Sequence, residues 1–340
     1  MSNISATWTK LASSERLGRS SQSLSVLGSR AWVFGGELVP RQPVDNRLDV
    51  IELSSGQESA AAATTLEAPA TAPIPRVGLA TAALKGALYL FSGRGGPAMA
   101  PIEEKGGIWR YTPSQSLWEL IEPADPDAPH PCSRSYHAMT SDGSDNIYVH
   151  AGCPEKGRLS DVWSFNVESR TWTELPAAPP PPRGGTSITV SGGKLYRMNG
   201  FDGKSELGGA IDVLDLAART WSTIPFKPDG IQGPEPRSVG ALLAVKVKGK
   251  DSLVTLFGER DPSSLGHAGA GRMLGDVWLF DLGRQEWTKV EPRGDAPLPR
   301  GWFGADVAAG DDGEHDAVIV HGGLAEDNSR LGDVWELRLD

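Results

Sequence analysis

Apolar and polar residues alternate along the chain in short runs separated by turn formers, and the clearest set lies between Arg134 and Trp172. Four runs are legible there: residues 134–139, residues 147–149 closed by Ala151 and Gly152, residues 161–165 (Asp-Val-Trp-Ser-Phe), and residues 171–173. A period of two, broken by Gly, Asn, Asp and Ser, predicts an antiparallel meander of four strands. One sheet of that size cannot bury both its faces, so it needs copies of itself.

The copies are present. The pair that ends the second strand recurs as Gly35-Gly36, Ser92-Gly93, Ala151-Gly152, Asn199-Gly200, Phe257-Gly258 and Gly322-Gly323. Arg19, Arg76, Arg134, Arg183, Arg237 and Arg300 stand upstream of these pairs. The third strand recurs as Asp49-Val50-Ile51, Gly107-Ile108-Trp109, Asp161-Val162-Trp163, Asp212-Val213-Leu214, Asp276-Val277-Trp278 and Asp333-Val334-Trp335. Trp118, Trp172, Trp221 and Trp287 mark the fourth strand. The first repeat ends instead in the alanine-rich stretch 59–63, and the sixth runs out at Asp340. Its tryptophan is at the other end of the chain, where Ala6-Thr7-Trp8-Thr9-Lys10 matches Arg170-Thr171-Trp172-Thr173-Glu174.

The N-terminus is therefore expected to complete the last sheet, with residues 7–11 beside 334–337. Closing the ring removes the unpaired edges of an open array. The recurring glycine pair, Asp-Val-Trp and later tryptophan resemble kelch repeats over nearly the whole chain. That resemblance implies an all-β, six-bladed kelch-type β-propeller, its last blade closed by the N-terminal strand, as one domain over residues 1–340.

Composition narrows the partners. The 41 glycines and 26 prolines suit a fold made of tight turns. A net charge of −10 with no basic patch speaks against nucleic acid and anionic membranes. No apolar run approaches the span of a bilayer. Met1-Ser2-Asn3 leads directly toward a strand with no secretion signal, so a cytoplasmic location is expected. Cys132 and Cys153 are then expected to be reduced thiols, although their places in the third repeat would let them meet. A homodimer is left open.

In such a meander, the approach to strand one, the end of strand two and the loop from two to three share one face. Six loops, at 37–48, 94–106, 153–160, 201–211, 259–275 and 324–332, thus converge on one mouth, where binding groups are usually carried. One arginine per blade is expected to anchor a strand or line the ring, and His137 to hydrogen-bond between blades. Arg94 differs, because it directly follows a glycine pair and has no counterpart. The fifth loop gathers Glu259, Asp261 and His267 among small residues. Two carboxylates and an imidazole with open positions are a ligand set that suits ferrous iron.

This loop, with its run Gly266-His267-Ala268-Gly269-Ala270-Gly271, makes the chain resemble the plant specifier proteins, the nitrile-, epithio- and thiocyanate-forming members among them. The resemblance implies Fe(II) at the mouth, held by a Glu, an Asp four residues on and a His four further. It implies lyase-type rearrangement of thiohydroximate-O-sulfates, the aglycones of glucosinolates, to nitrile-type products, with arginines gripping the sulfate of a small anionic substrate. Glu259 matches the first ligand and His267 the last. The middle position is Ser263, a departure from the pattern; either Asp261 substitutes or the metal is lost. Arg94 fits a sulfate-binding arginine, Arg134 is a candidate for a second, and Trp302 opens the sixth repeat on the same face as a pocket wall. The candidate catalytic residues are therefore Glu259, His267 and Arg94, with Asp261 and Ser263 as further metal positions. Two other classes compete: a metal-free enzyme that positions a reactive intermediate in a dry aromatic pocket, and a protein-interaction module with an exposed apolar patch.

Overall fold

The computed structural model describes residues 4–53 and 63–340. Among them regular structure is strand, apart from three one-turn 3-10 helices, and no helix is long and apolar enough to cross a membrane. Six antiparallel meanders make the six blades of a propeller. The third runs Ala138–Ser141, Asn146–Gly152, Leu159–Asn166 and Thr171–Leu175, each strand paired with the next. Alternation gives it two apolar faces. Ile147, Val149, Phe165 and Trp172 pack on Tyr89, Phe91 and Ile108 of the second blade. Tyr148, Val162 and Leu175 pack on Ile188, Leu195 and Leu214 of the fourth. Each large side chain so buried contributes about 1.5–3 kcal/mol, so every blade depends on both neighbours.

The ring closes as the repeat register implies. Ala6–Ser13 pairs with Asp333–Leu339, placing Trp8 opposite Leu337. Trp8 stacks on Phe257 of the fifth blade at 5.7 Å and meets Trp335 edge-on. In the first blade the outer strand is Thr64–Leu66; of the alanine-rich stretch, residues 59–62 lie outside the described residues.

One sequence expectation is corrected. The first strand of the third blade begins at Ala138, not at Arg134. The residues before it bend inward, because the second residue after each repeat arginine adopts a left-handed backbone: Ser21, Gly78, Tyr136, Gly185, Val239 and Trp302 have φ between 47° and 60°. Their amides and carbonyls link blade to blade. Gly78 donates to Ser21, Tyr136 to Gly78, Gly185 to Tyr136, Val239 to Gly185, Trp302 to Val239 and Ser21 to Trp302, at 2.6–3.0 Å. This closed circle of hydrogen bonds offsets the strain of a positive φ at residues such as Val239.

The repeated glycine has a related cause. The second residue of each pair has φ between 91° and 115°. In five blades its N–H reaches the carbonyl of the next blade's arginine, as Gly258 does to Arg300 at 2.8 Å. A Cβ at Gly258 would lie 2.8 Å from the Ser238 carbonyl oxygen, so only glycine fits.

Candidate functional site

The repeat arginines are structural. Each donates to the carbonyl of the first residue of its glycine pair, for example Arg134 to Ala151 at 3.1 Å and Arg300 to Gly322 at 3.0 Å. Arg19, Arg134, Arg237 and Arg300 also pair with Asp49, Asp161, Asp276 and Asp333, each at 2.6 Å. In the second blade, where Gly107 replaces the aspartate, Arg76 turns to Glu104 at 3.0 Å. In the fourth, Asp212 is taken by Arg197 instead. The indoles of Trp163, Trp278 and Trp335 hold the same carboxylates at 2.7–2.9 Å. Although burial opposes the charge, these donors hold Asp161, Asp276 and Asp333 below the usual carboxylate range.

Arg134 is thereby removed as a substrate-binding residue. It is fully buried. Its Nε donates to the Cys132 carbonyl, Nη1 to Ala151 and Asp161, and Nη2 to Asp161 and the Cys132 sulfur. All five N–H groups of a guanidinium are then committed. His137 sits in the interior, edge-on to Phe91 of the second blade at 5.7 Å, with the Phe91 backbone as its hydrogen-bonding neighbour across the two blades.

At the mouth, the loops of the third, fourth and fifth blades enclose a cleft of about 320 Å³. Its floor is Tyr136 and Trp302, which come from opposite blades and meet edge-to-face at 5.2 Å. Cys153 and Arg158 line one wall; Phe201, Lys204 and Glu206 line the next; Glu259, Pro262 and Ser263 complete it. Arg158 lies over the Phe201 ring, its guanidinium carbon 5.1 Å from the centroid. Its Nε is buried and has no protein partner. Phe201 is fixed by mutual backbone bridging to Gly184 and Glu206.

Of the residues expected from the fifth loop, Glu259 is buried in this cleft, its Oε1 accepting the Gly271 N–H at 2.7 Å. Burial pushes its pKa up, with the nearby Glu206 charge adding to the shift and the Gly271 and Trp302 contacts opposing it. Glu206 is raised as well, again chiefly by burial, and its Oε1 has no protein partner. Asp261 does not join them: its side chain is 65% exposed and paired with Arg260 at 3.2 Å. The Ser263 hydroxyl accepts the Leu265 N–H at 3.1 Å. His267 belongs to the one-turn helix Gly266–Ala268, and its side chain lies outside the described residues. Among the described residues no three of His, Cys, Asp and Glu are grouped to hold a metal ion.

Arg94 stands beside the cleft, half-buried, donating to Ser135 Oγ at 3.3 Å and to the Met99 carbonyl at 3.1 Å. Its charge acts to lower the pKa values of Tyr136 and Cys153, both of which burial raises. Cys132 and Cys153 are both free. Sequence reasoning missed Arg158, Phe201, Lys204 and Glu206. The signal available was that Arg158, Lys204 and Glu206 lie in two of the six mouth loops yet belong to no repeated position, and that Phe201 directly follows a glycine pair, as Arg94 and Glu259 do.

Six blades, the glycine pairs and the paired arginines define a kelch-type propeller, and residues 21–259 match the family model described as the KLHDC2/KLHL20/DRC7 Kelch-repeats domain. The chain belongs to the kelch-repeat family. It is similar over its length to N-(sulfonatooxy)prop-2-enimidothioate sulfolyase of Thlaspi arvense, 27% identical over 93% of this chain and 91% of that protein. Acyl-CoA-binding domain-containing protein 4 of Arabidopsis thaliana is 26% identical over 58% of this chain, and human Host cell factor 2 is 25% identical over 70%. Those alignments span 28% and 30% of the two longer proteins.

Proposed function

We propose that the chain is a specifier-like lyase that binds a small O-sulfonated anion in the mouth cleft and promotes loss of its sulfate. The observation that carries this reading is the Arg158 guanidinium laid on Phe201, with a buried Nε that no protein group satisfies. A planar fork held over an aromatic ring matches sulfonate oxygens, and a buried donor without a partner favours a ligand that supplies one. The full-length likeness to a sulfolyase supports the choice of substrate class. Lys204 adds positive charge at the rim, while Phe201, Pro262 and Trp302 exclude water from the organic part. When the N–O bond of a thiohydroximate-O-sulfate breaks on the way to a nitrile, sulfate leaves with the bonding electron pair, the C–S pair becomes the third C–N bond, and the thiolate sulfur departs at the elemental level. Arg158 would stabilise the charge that gathers on the sulfate oxygens.

Ferrous iron is not built into this reading. Of Glu259, Asp261, Ser263 and His267, the described side chains offer one buried carboxylate already bonded to Gly271, an aspartate turned to Arg260 and a hydroxyl bonded to Leu265. The His267 side chain lies outside the described residues, and the three described side chains do not by themselves make up a metal site, so no step is routed through a metal. Sulfate release from a thiohydroximate-O-sulfate, followed with and without a chelator and with added Fe(II), tests both points. Turnover that Arg158→Ala leaves intact sinks the proposal, and activity abolished by chelation and restored by iron returns the metal to it.

A second reading, a protein-docking mouth, draws on the exposed apolar residues Leu38, Val39, Ile231, Leu265 and Leu298, carried on loops or strand ends outside the blades' inner strands. Charged substitutions at Leu265 and Leu298 that leave sulfate release unchanged but abolish a partner's binding would favour it.

A further inference from the structure

Below the Tyr136–Trp302 pair, the next residue of each blade faces the axis. Gln22, Leu79, His137, Thr186, Gly240 and Phe303 surround a chamber of about 110 Å³ that continues into a deeper space of about 180 Å³. Among the described residues lining either part there is no Asp, Glu, Lys or Arg.

One polar group in the chamber is left without a partner, and a second has only a poorly aligned one. The Nε2 of His321 lies 3.0 Å from the Leu17 carbonyl, which fixes its proton there and leaves Nδ1 as an acceptor. The amide nitrogen of Gln22 donates to that Nδ1 at 3.1 Å and to the His321 carbonyl at 2.9 Å. With both amide protons used, the Gln22 side chain cannot flip, and its buried Oε1 has no partner. His137 is 6% exposed, and neither ring nitrogen makes a well-aligned hydrogen bond, although the Phe91 carbonyl is nearby. Burial, together with the Arg134 charge, lowers its pKa to about 3, so the ring is neutral with one donor and one acceptor. A buried polar group without a partner costs roughly 1–3 kcal/mol, and native interiors rarely leave one unfilled.

We propose that this chamber is a second binding site, for a small uncharged molecule carrying both a hydrogen-bond donor and an acceptor, such as a primary amide or an alcohol. The donor serves Gln22 Oε1 or the bare nitrogen of His137, and the acceptor competes with the Phe91 carbonyl for the N–H of His137. A charged ligand is excluded, because it would enter a buried space with no counter-charge. Four of the six residues at the upper constriction, Ser21, Gly78, Gly185 and Val239, have small side chains or none, so passage from the mouth is controlled by Tyr136 and Trp302. The cleft and the chamber thus suit ligands of different charge: anions beside Arg158 and neutral molecules below. The inference does not depend on the sulfate chemistry proposed above.

Acetamide is a suitable probe and acetate its charged counterpart, with the imidazole 15N resonances of His137, assigned by their loss in His137→Leu, as the reporter. The expected result is a saturable shift with acetamide and none with acetate. Leu79→Phe fills the chamber while leaving Gln22 and His137 in place. It should weaken acetamide binding by about tenfold or more, equivalent to about 1.4 kcal/mol. Gln22→Met removes the carbonyl and gives the same loss; should it unfold through the broken His321 contacts, Leu79→Phe alone decides. A response that never saturates, is equal for acetamide and acetate, and is unchanged in a folded Leu79→Phe protein means the chamber holds bulk water only, and overturns the proposal.

Discussion

Arg134 and Arg158 belong to the same blade and carry the same charge, yet they do opposite things. Arg134 is sealed in the protein with every donor paired, whereas Arg158 lies on an aromatic ring at the cleft with a donor to spare. The difference follows from where each falls in the repeat. A residue that recurs in every blade makes the same carbonyl contact six times and holds strands together. A residue in the loop between strands two and three meets neighbours that no other blade supplies. On this scaffold, recurrence marks architecture and its absence marks chemistry.

The strongest way to break that contrast is acid, which acts on the repeated pairs together. Asp161, Asp276 and Asp333 have native pKa values below their usual 3.8. A depressed carboxylate stabilises the fold fully above its unfolded pKa, and that stability is lost as pH falls through the native value. Urea midpoints should therefore hold steady near neutrality and drop steeply below about pH 4. A flat profile to pH 3 would mean the pairs contribute little.

Single substitutions come next. Arg300→Ala leaves Asp333 buried without its partner and is expected to cost about 3–5 kcal/mol in unfolding free energy. Trp8→Ala removes the anchor of ring closure at a similar cost of about 3–5 kcal/mol. Unchanged stability in Trp8→Ala would show that the β pairing of the first strand alone closes the ring.

Arg158→Ala sharpens the comparison from the other side. It should lower stability by only about 0.5–1 kcal/mol, the worth of an exposed cation–π contact. Calorimetry with inorganic sulfate should meanwhile show binding weakened by roughly 1.5–3 kcal/mol, the value of charged hydrogen bonds. Equal sulfate affinity in both proteins would take Arg158 out of the site. Arg94→Lys has the smallest expected effect, roughly 0.5–1.5 kcal/mol on the same measurement, because the Arg94 donors are partly used by Ser135 and Met99. A larger loss from Arg94 than from Arg158 would reverse their ranking.

Much of the architecture was legible in the residues themselves. Spacing gave the number of blades, the strand order and the return of Trp8 to the last sheet, because each of these follows from a pattern repeated at similar intervals. The inward bend at Tyr136 was not legible: it depends on hydrogen bonds to Gly78 and Gly185 of neighbouring blades, which no local pattern announces. Glu259 was picked out as a carboxylate of the fifth loop, and the structure puts it in the cleft. Asp261, two residues on, reads the same way in sequence but turns to Arg260 and solvent, because its backbone φ of 52° breaks the strand that would have aimed it inward.

The sequence by itself determined what is periodic: the meander, the glycine that alone tolerates the turn, the arginine and aspartate that recur together, and hence the closed propeller. Tertiary structure alone decided which unrepeated residues meet. Arg158, Phe201, Glu206 and Glu259 come from three different loops and line one cleft only once the blades are arranged around the axis. Periodic positions are specified by contacts within a blade and its neighbours, which recur along the chain. The cleft is specified by contacts between loops, which occur once and leave no repeat to read.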